Sequence, residues 1–329
     1  MGQSHWSDVA YQARQQHHRT TGQTAFTYDD HVRTTGVVHV HDTMNPHGVT
    51  RESRDSHAHP DSRAIAVIFD VTGSMGIVPR VLQTKLGALM WVLIQRGYVA
   101  DPQLLFGAVG DAYCDAVPLQ IGQFESGLEM DDDLGKIYLE GGGGGQVHET
   151  YELALYFLAR HTTLDCYAQR GKKGYLFTIG DEQPYAVVRR SHVREHIGDG
   201  LERDIPVAQI VAEVQQHYEY FHIIPTDTAH GQSRAVHERW TALLGERVLL
   251  LDDVAAVCET IALAIGLCEG TVDDLTSGAD DLSQAGYDRG GVAAATTALA
   301  RYDASRGTGS RLAAGVLPAS TAQVADGRL

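Results

Sequence analysis

The stretch "IAVIFDVTGSMGIVPR", residues 65–80, ends an apolar, β-branched run on Asp70, places hydroxyls at Thr72 and Ser74, and then turns into a helical pattern. Side chains two apart share one side of an extended chain, so these three residues present oxygens together as the strand ends. Oxygens bunched in this way suit a hard cation. Mg²⁺ takes about six of them at roughly 2.0–2.1 Å and keeps water where protein does not reach. Gly73 lets the backbone fold round such an ion. The plainer reading is a helix cap, because Asp, Ser and Thr accept backbone N–H bonds there.

Other strand ends must supply the remaining oxygens. "FTIGDEQPY" closes an apolar run on Asp181, followed by Glu182, which reads as solvated. "EGGGGGQVHETYELAL" carries Glu149 and Thr150 at the start of a helix, and its glycines, Gly141 to Gly145, permit close approach to a metal or a partner. Covalent chemistry finds no support. Thr72 stands where a haloacid dehalogenase-like phosphatase needs its second Asp and where a serine hydrolase elbow needs Gly. No glycine-rich stretch continues into Gly-Lys-Ser/Thr, and no nucleophile and base pair is visible. The chemistry on offer is coordination, and an enzyme is not expected.

The elements that must position these residues alternate in type. "AIAVIFD", "QLLFGAVGD", "KGYLFTIGDE", "YEYFHIIPTD" and "ERVLLLDD" read as strands, with "AVPLQIG" as an antiparallel edge strand. Between them lie helix-period segments, the first with a stripe of Val78, Leu82, Leu86, Leu89 and Leu93. Such alternation predicts an α/β fold, a doubly wound, mostly parallel sheet with helices on both faces and ligands at the carboxyl ends of the strands. This domain runs over residues 62–268. Residues 1–61 form a His-rich N-terminal extension read as irregular, its histidines solvated and "VVHVHDTM" its one strand-like segment. Residues 269–329 read as a flexible, acidic, Ala- and Gly-rich tail with a modest helix signal in "VAAATTALARYDAS".

With 26 Lys and Arg against 42 Asp and Glu, the formal charge is -16, which disfavours nucleic acid as a partner. The four cysteines form no CxxC pair and read as reduced, buried thiols. The N-terminus has no apolar signal core and no window approaches the roughly 18 apolar residues of a membrane span. A soluble cytoplasmic protein is the expectation.

Asp-x-Thr-x-Ser after an apolar strand, a Gly-rich loop before an "xxAL" helix, and an apolar strand ending in Gly-Asp together resemble the metal-ion-dependent adhesion site of von Willebrand factor A domains. The likeness covers residues 62–268. It implies that Thr72 and Ser74 bind the cation directly, that Asp70 and Asp181 act mainly through water, and that a partner's Asp or Glu completes the shell. The cation would be Mg²⁺, or Mn²⁺ or Ca²⁺. Counting back from Ala154 puts Glu149 where the family usually has Thr, with Thr150 one place late. Two alternatives follow: Glu149 closes the site until a partner displaces it, or Thr150 is the ligand and Glu149 stands behind it. The implied function is a metal-dependent protein-binding module or adaptor, working beside a MoxR-type AAA+ ATPase. The alternative is a metal-dependent phosphatase using the Asp70 loop.

Overall fold

The computed structural model describes residues 4–71, 73–141 and 147–313, the side chains of residue 74 and of 307–313 excepted. A six-stranded sheet forms its centre: β1 (Ser62–Asp70), β2 (Asp101–Val109), β3 (Leu119–Ile121), β4 (Gly174–Ile179), β5 (Tyr218–Pro225) and β6 (Val248–Leu251). The spatial order is β6-β5-β4-β1-β2-β3, parallel throughout except for β3, which runs antiparallel on the edge beside β2. This is the expected α/β architecture, including the antiparallel edge.

Period-two patterning explains why the sheet is covered twice. In β1, Ile65, Val67 and Phe69 join one hydrophobic cluster, whereas Ala64, Ala66 and Ile68 join the cluster on the other face. Helices α3 (Val78–Gln95), α4 (Glu129–Gly135) and α8 (Val257–Glu269) lie on the first face, α5 (Tyr151–Arg160), α6 (Val207–His217) and α7 (Arg234–Leu244) on the second. Val78, Leu82, Leu86, Leu89 and Leu93 are all buried, as their spacing predicts. From β1 the chain winds outward to β2 and β3, then returns to β4 on the other flank. The gap between β1 and β4 is thus the point where the winding reverses, and its carboxyl end is where ligands of doubly wound sheets collect.

Both flanking segments differ from expectation. The N-terminal extension is helical over α1 (Asp8–Thr21) and α2 (Thr27–Thr35). Ser7 caps α1, and Tyr11 lies so close to Gly87 of α3 that a Cβ there would stand 2.7 Å from its ring. "VVHVHDTM" forms no strand; the extension contributes instead Arg51–Ser53, paired parallel with Thr162–Leu164. His59 is buried, with Nε2 bonded to the Ser4 carbonyl at 2.8 Å.

The segment from 269 is no flexible tail as far as residue 313. It forms α9 (Leu275–Gln284), with an Asp274 and Ser277 capping box, and α10 (Arg289–Ala313). Leu282, Val292, Ala298 and Leu299 sit in the same core cluster as α3 and α8. Its small residues, which look too slight for a core, let helices approach: a Cβ on Gly278 would meet Leu263 at 2.4 Å. Two composition readings also change. Met75–Gln95 is long and apolar enough to cross a membrane, but half of it is buried inside the fold as the central packing helix. Cys114 is exposed, unlike Cys166 and Cys258.

Candidate metal centre

The site lies at the carboxyl ends of β1 and β4. Asp70 is the last residue of β1 and wholly buried. The chain then passes Gly73, at φ +35°, into the 3₁₀ turn Gly73–Ile77 and so into α3. Thr72 and the glycines Gly142 to Gly145 lie outside the described residues, as does the side chain of Ser74.

Glu149 is placed by a short parallel ladder, His148–Glu149 against Gln183–Pro184, closed by the Gln183 N–H on the Val147 carbonyl at 3.0 Å. The ladder sets Glu149 beside Glu182. Glu182 is anchored in turn by its own carbonyl, which accepts the Trp240 indole N–H at 2.8 Å. Asp70, Glu149 and Glu182 are all buried, and one carboxylate oxygen from each lies within 4.8 Å of the others. An ion fits that spacing, since oxygens opposite one another are about 4.2 Å apart across Mg²⁺ and about 5 Å across Ca²⁺.

Gly180 makes the convergence possible. Tyr151, the first residue of α5, lays its hydroxyl over the Gly180 Cα, where a Cβ would stand 1.8 Å from that oxygen and 3.2 Å from the Asp70 Cβ. Any other residue would push β4 and α5 apart at the level of the carboxylates.

The electrostatics are those of carboxyl groups crowded together out of water. Burial, followed by the charges of Asp70, Glu182, Asp115 and Asp111, drives the Glu149 carboxyl far above its usual range. Burial and then Asp70 and Asp181 push Glu182 up to about 8. The charges acting most strongly on both are all negative. Glu149 Oε2 and Glu182 Oε2 are buried with no hydrogen-bond partner among the described residues. Buried carboxylates that crowd one another must take up protons or bind a cation. The donors are all hard oxygens, so the residues fit Mg²⁺, Ca²⁺ or Mn²⁺ rather than a soft metal.

Asp181 and Thr150 stand beside this trio. Asp181 is buried and accepts the His230 N–H at 2.8 Å, which ties the loop after β5 to the site. The Thr150 hydroxyl donates to the Gly110 carbonyl at 2.7 Å and accepts the Ala112 N–H at 2.6 Å. It thereby pins the loop after β2 that carries Asp111 and Asp115. Of the two open alternatives, the geometry brings Glu149 to Asp70 and turns Thr150 toward that loop.

The sequence reading missed Glu182, taken as solvated, and Asp111. Asp111 is buried and accepts the Tyr185 hydroxyl at 3.0 Å. A signal for it was present, since "LLFGAVGD" and "LFTIGD" both end apolar strands on Gly-Asp. Tyr113, Tyr185, His148 and His192 pack their rings together over this acidic floor, with Tyr113 exposed.

No family model matches the chain, and no curated protein matches it. Among solved structures, the pilus adhesin SpaC from Lactobacillus rhamnosus GG in its open conformation superposes with a TM-score of 0.43 at 9% identity over 67% of this chain. The chain spans 31% of that adhesin. The conserved hypothetical protein BatB from Bacteroides thetaiotaomicron superposes with a TM-score of 0.34 at 12% identity, covering 63% of this chain and 98% of BatB.

Proposed function

We propose that the chain is a divalent-cation-dependent protein-binding domain, its ion held by Asp70, Glu149 and Glu182 at the β1–β4 switch point. One observation carries the reading: three buried carboxylates from three separate segments converge within 4.8 Å. Thr72 and Ser74 follow Asp70 in the chain and are proposed as the hydroxyl ligands, with Asp181 acting through water. Bound there, the ion supplies a Lewis-acidic position that a carboxylate on another protein can occupy.

Three carboxylates leave a divalent site with a net negative charge, which repels an acidic partner. Glu149 is accordingly the gate: a partner's Asp or Glu gains the position only by replacing it. The ring cluster of Tyr113, Tyr185, His148 and His192 borders the opening and offers contact area to such a partner. A cytoplasmic adaptor role beside a MoxR-type AAA+ ATPase belongs to this proposal through the motif resemblance.

The test is melting temperature against Mg²⁺, Mn²⁺ and Ca²⁺ for wild type and Asp70→Asn. A ligand bound only by the folded state stabilises by about 2.7 kcal/mol at a hundred times its Kd, or roughly 5 °C or more for a domain of this size. Wild type gains that increment and Asp70→Asn loses it. No response to any of the three ions overturns the reading, and metal-dependent turnover of an aryl phosphate replaces it with the phosphatase alternative.

A further inference from the structure

A cavity of about 410 Å³ opens at the opposite, amino-terminal edge of the sheet. Arg63 of β1, Lys172 and Lys173 before β4, Arg247 before β6 and Arg306 of α10 line it, against two acids, Glu219 and Glu269. In a chain of formal charge -16, five cations gathered on one cavity are a local inversion of the whole.

The acids present do not exhaust these cations. Glu269 pairs with Arg63, and Glu219 takes both Arg247 and Lys173. Arg306 reaches Asp303 at 3.1 Å. Yet Arg63 Nε and Arg247 Nη1 are buried with no acceptor among the described residues, and the Arg63 side chain is only 8% exposed. A buried donor left unsatisfied is destabilising, and a ligand that accepts from it recovers that loss. The guanidinium groups are also held in place by rings, Arg63 beside Tyr175 and Arg247 over Phe221 and Tyr302. Preorganised forks with spare donors match phosphate oxygens in shape and charge, and the volume lies within the range of small-molecule sites.

The geometry points to a second ligand site here, for a small phosphate-bearing anion. The Arg63 and Arg247 guanidinium groups turn toward the cavity to donate to oxygens of the anion, while Lys172, exposed and in no ion pair among the described residues, neutralises the remaining charge at the mouth. This site does not depend on the acidic edge.

Isothermal titration calorimetry with pyrophosphate, in EDTA and at ionic strength held constant with NaCl, tests it. Wild type and Asp70→Asn bind saturably and alike, so failure of the cation site leaves this result untouched. Lys172→Glu, an exposed change, and Arg247→Gln each weaken binding by about tenfold or more. Absence of saturable binding to wild type, or equal affinity in Lys172→Glu, overturns the proposal.

Discussion

At the carboxyl edge of the sheet, Asp70, Asp111, Glu149, Asp181 and Glu182 are buried side by side. At the amino edge, Arg63, Lys172, Lys173, Arg247 and Arg306 surround a cavity. The same parallel strands join the two. In a doubly wound sheet the loops at the carboxyl edge run into helix N-termini, whose partial positive charge favours acids, and helix C-termini at the other edge favour bases. Helix α8 shows the second half of this rule, ending at Gly270 on the wall of the basic cavity. Fold polarity therefore sorts charge by end, but it does not require burial. What distinguishes both edges is that charged groups have been taken out of water, with Glu149 Oε2, Glu182 Oε2, Arg63 Nε and Arg247 Nη1 lacking a partner among the described residues.

Neutralising protons should separate the two edges most strongly. Glu149 and Glu182 carry folded-state pKa values raised above the value of 4.5 of the free side chain, Glu182 to about 8. The folded chain then holds protons that the unfolded chain has lost. The stability Glu182 contributes is fully present below about pH 4.5 and is lost as pH rises through about 8, and that of Glu149 persists to higher pH. The slope is about 1.4 kcal/mol per pH unit for each such proton. Urea unfolding in EDTA at pH 5, 6.5 and 8 measures this as the difference between wild type and Glu182→Gln, whose slope is shallower. Saturating Mg²⁺ reverses the wild-type trend, because the ion competes with those protons. Lys172→Gln keeps the wild-type slope; equal slopes in wild type and Glu182→Gln would break the contrast between the edges.

Within the acidic edge, the neighbours Asp181 and Glu182 make a finer comparison. Glu182 brings an oxygen to the trio and has Oε2 buried without a partner among the described residues, whereas Asp181 accepts the His230 backbone N–H. Glu182→Gln weakens Mg²⁺ binding by about tenfold, and Asp181→Asn by less, its loss falling on the loop after β5. Calorimetric Mg²⁺ titration of the two variants decides it, and a larger loss in Asp181→Asn would return Asp181 to the position the motif alone assigns.

That reversal of roles also shows how much the sequence could say. The strands, their parallel order and the antiparallel edge were legible because period-two burial and helix spacing are local properties. Asp70 and Glu149 were legible because a strand end and a helix start carry their own signals. Glu182 was not, because its burial depends on a two-residue ladder between His148–Glu149 and Gln183–Pro184, residues more than thirty apart in the chain. The packing of the C-terminal helices into the core was missed for a related reason. Ala298 and Gly278 fill no space by themselves and become core only when Leu263 and its neighbours are already in place. The basic cavity left no motif at all, since its five cations come from four separate stretches of the chain.

The smallest expected effect tests whether the edges communicate. From Arg63 to Asp70 the strand takes seven steps of about 3.3 Å, roughly 23 Å, nearly three Debye lengths of about 8 Å at physiological salt. Lys172→Glu should therefore leave the Mg²⁺ dissociation constant within about twofold at that ionic strength, since direct charge interaction is screened. Besides the strands, helix α8 links the two edges: it follows β6 at the acidic edge and its last residues line the basic cavity. It is buried along nearly its whole length and clamped by α3 on one side and α9 and α10 on others. So enclosed, it transmits a change only by moving as a body. A shift in the Mg²⁺ constant beyond twofold at high salt would show that it does.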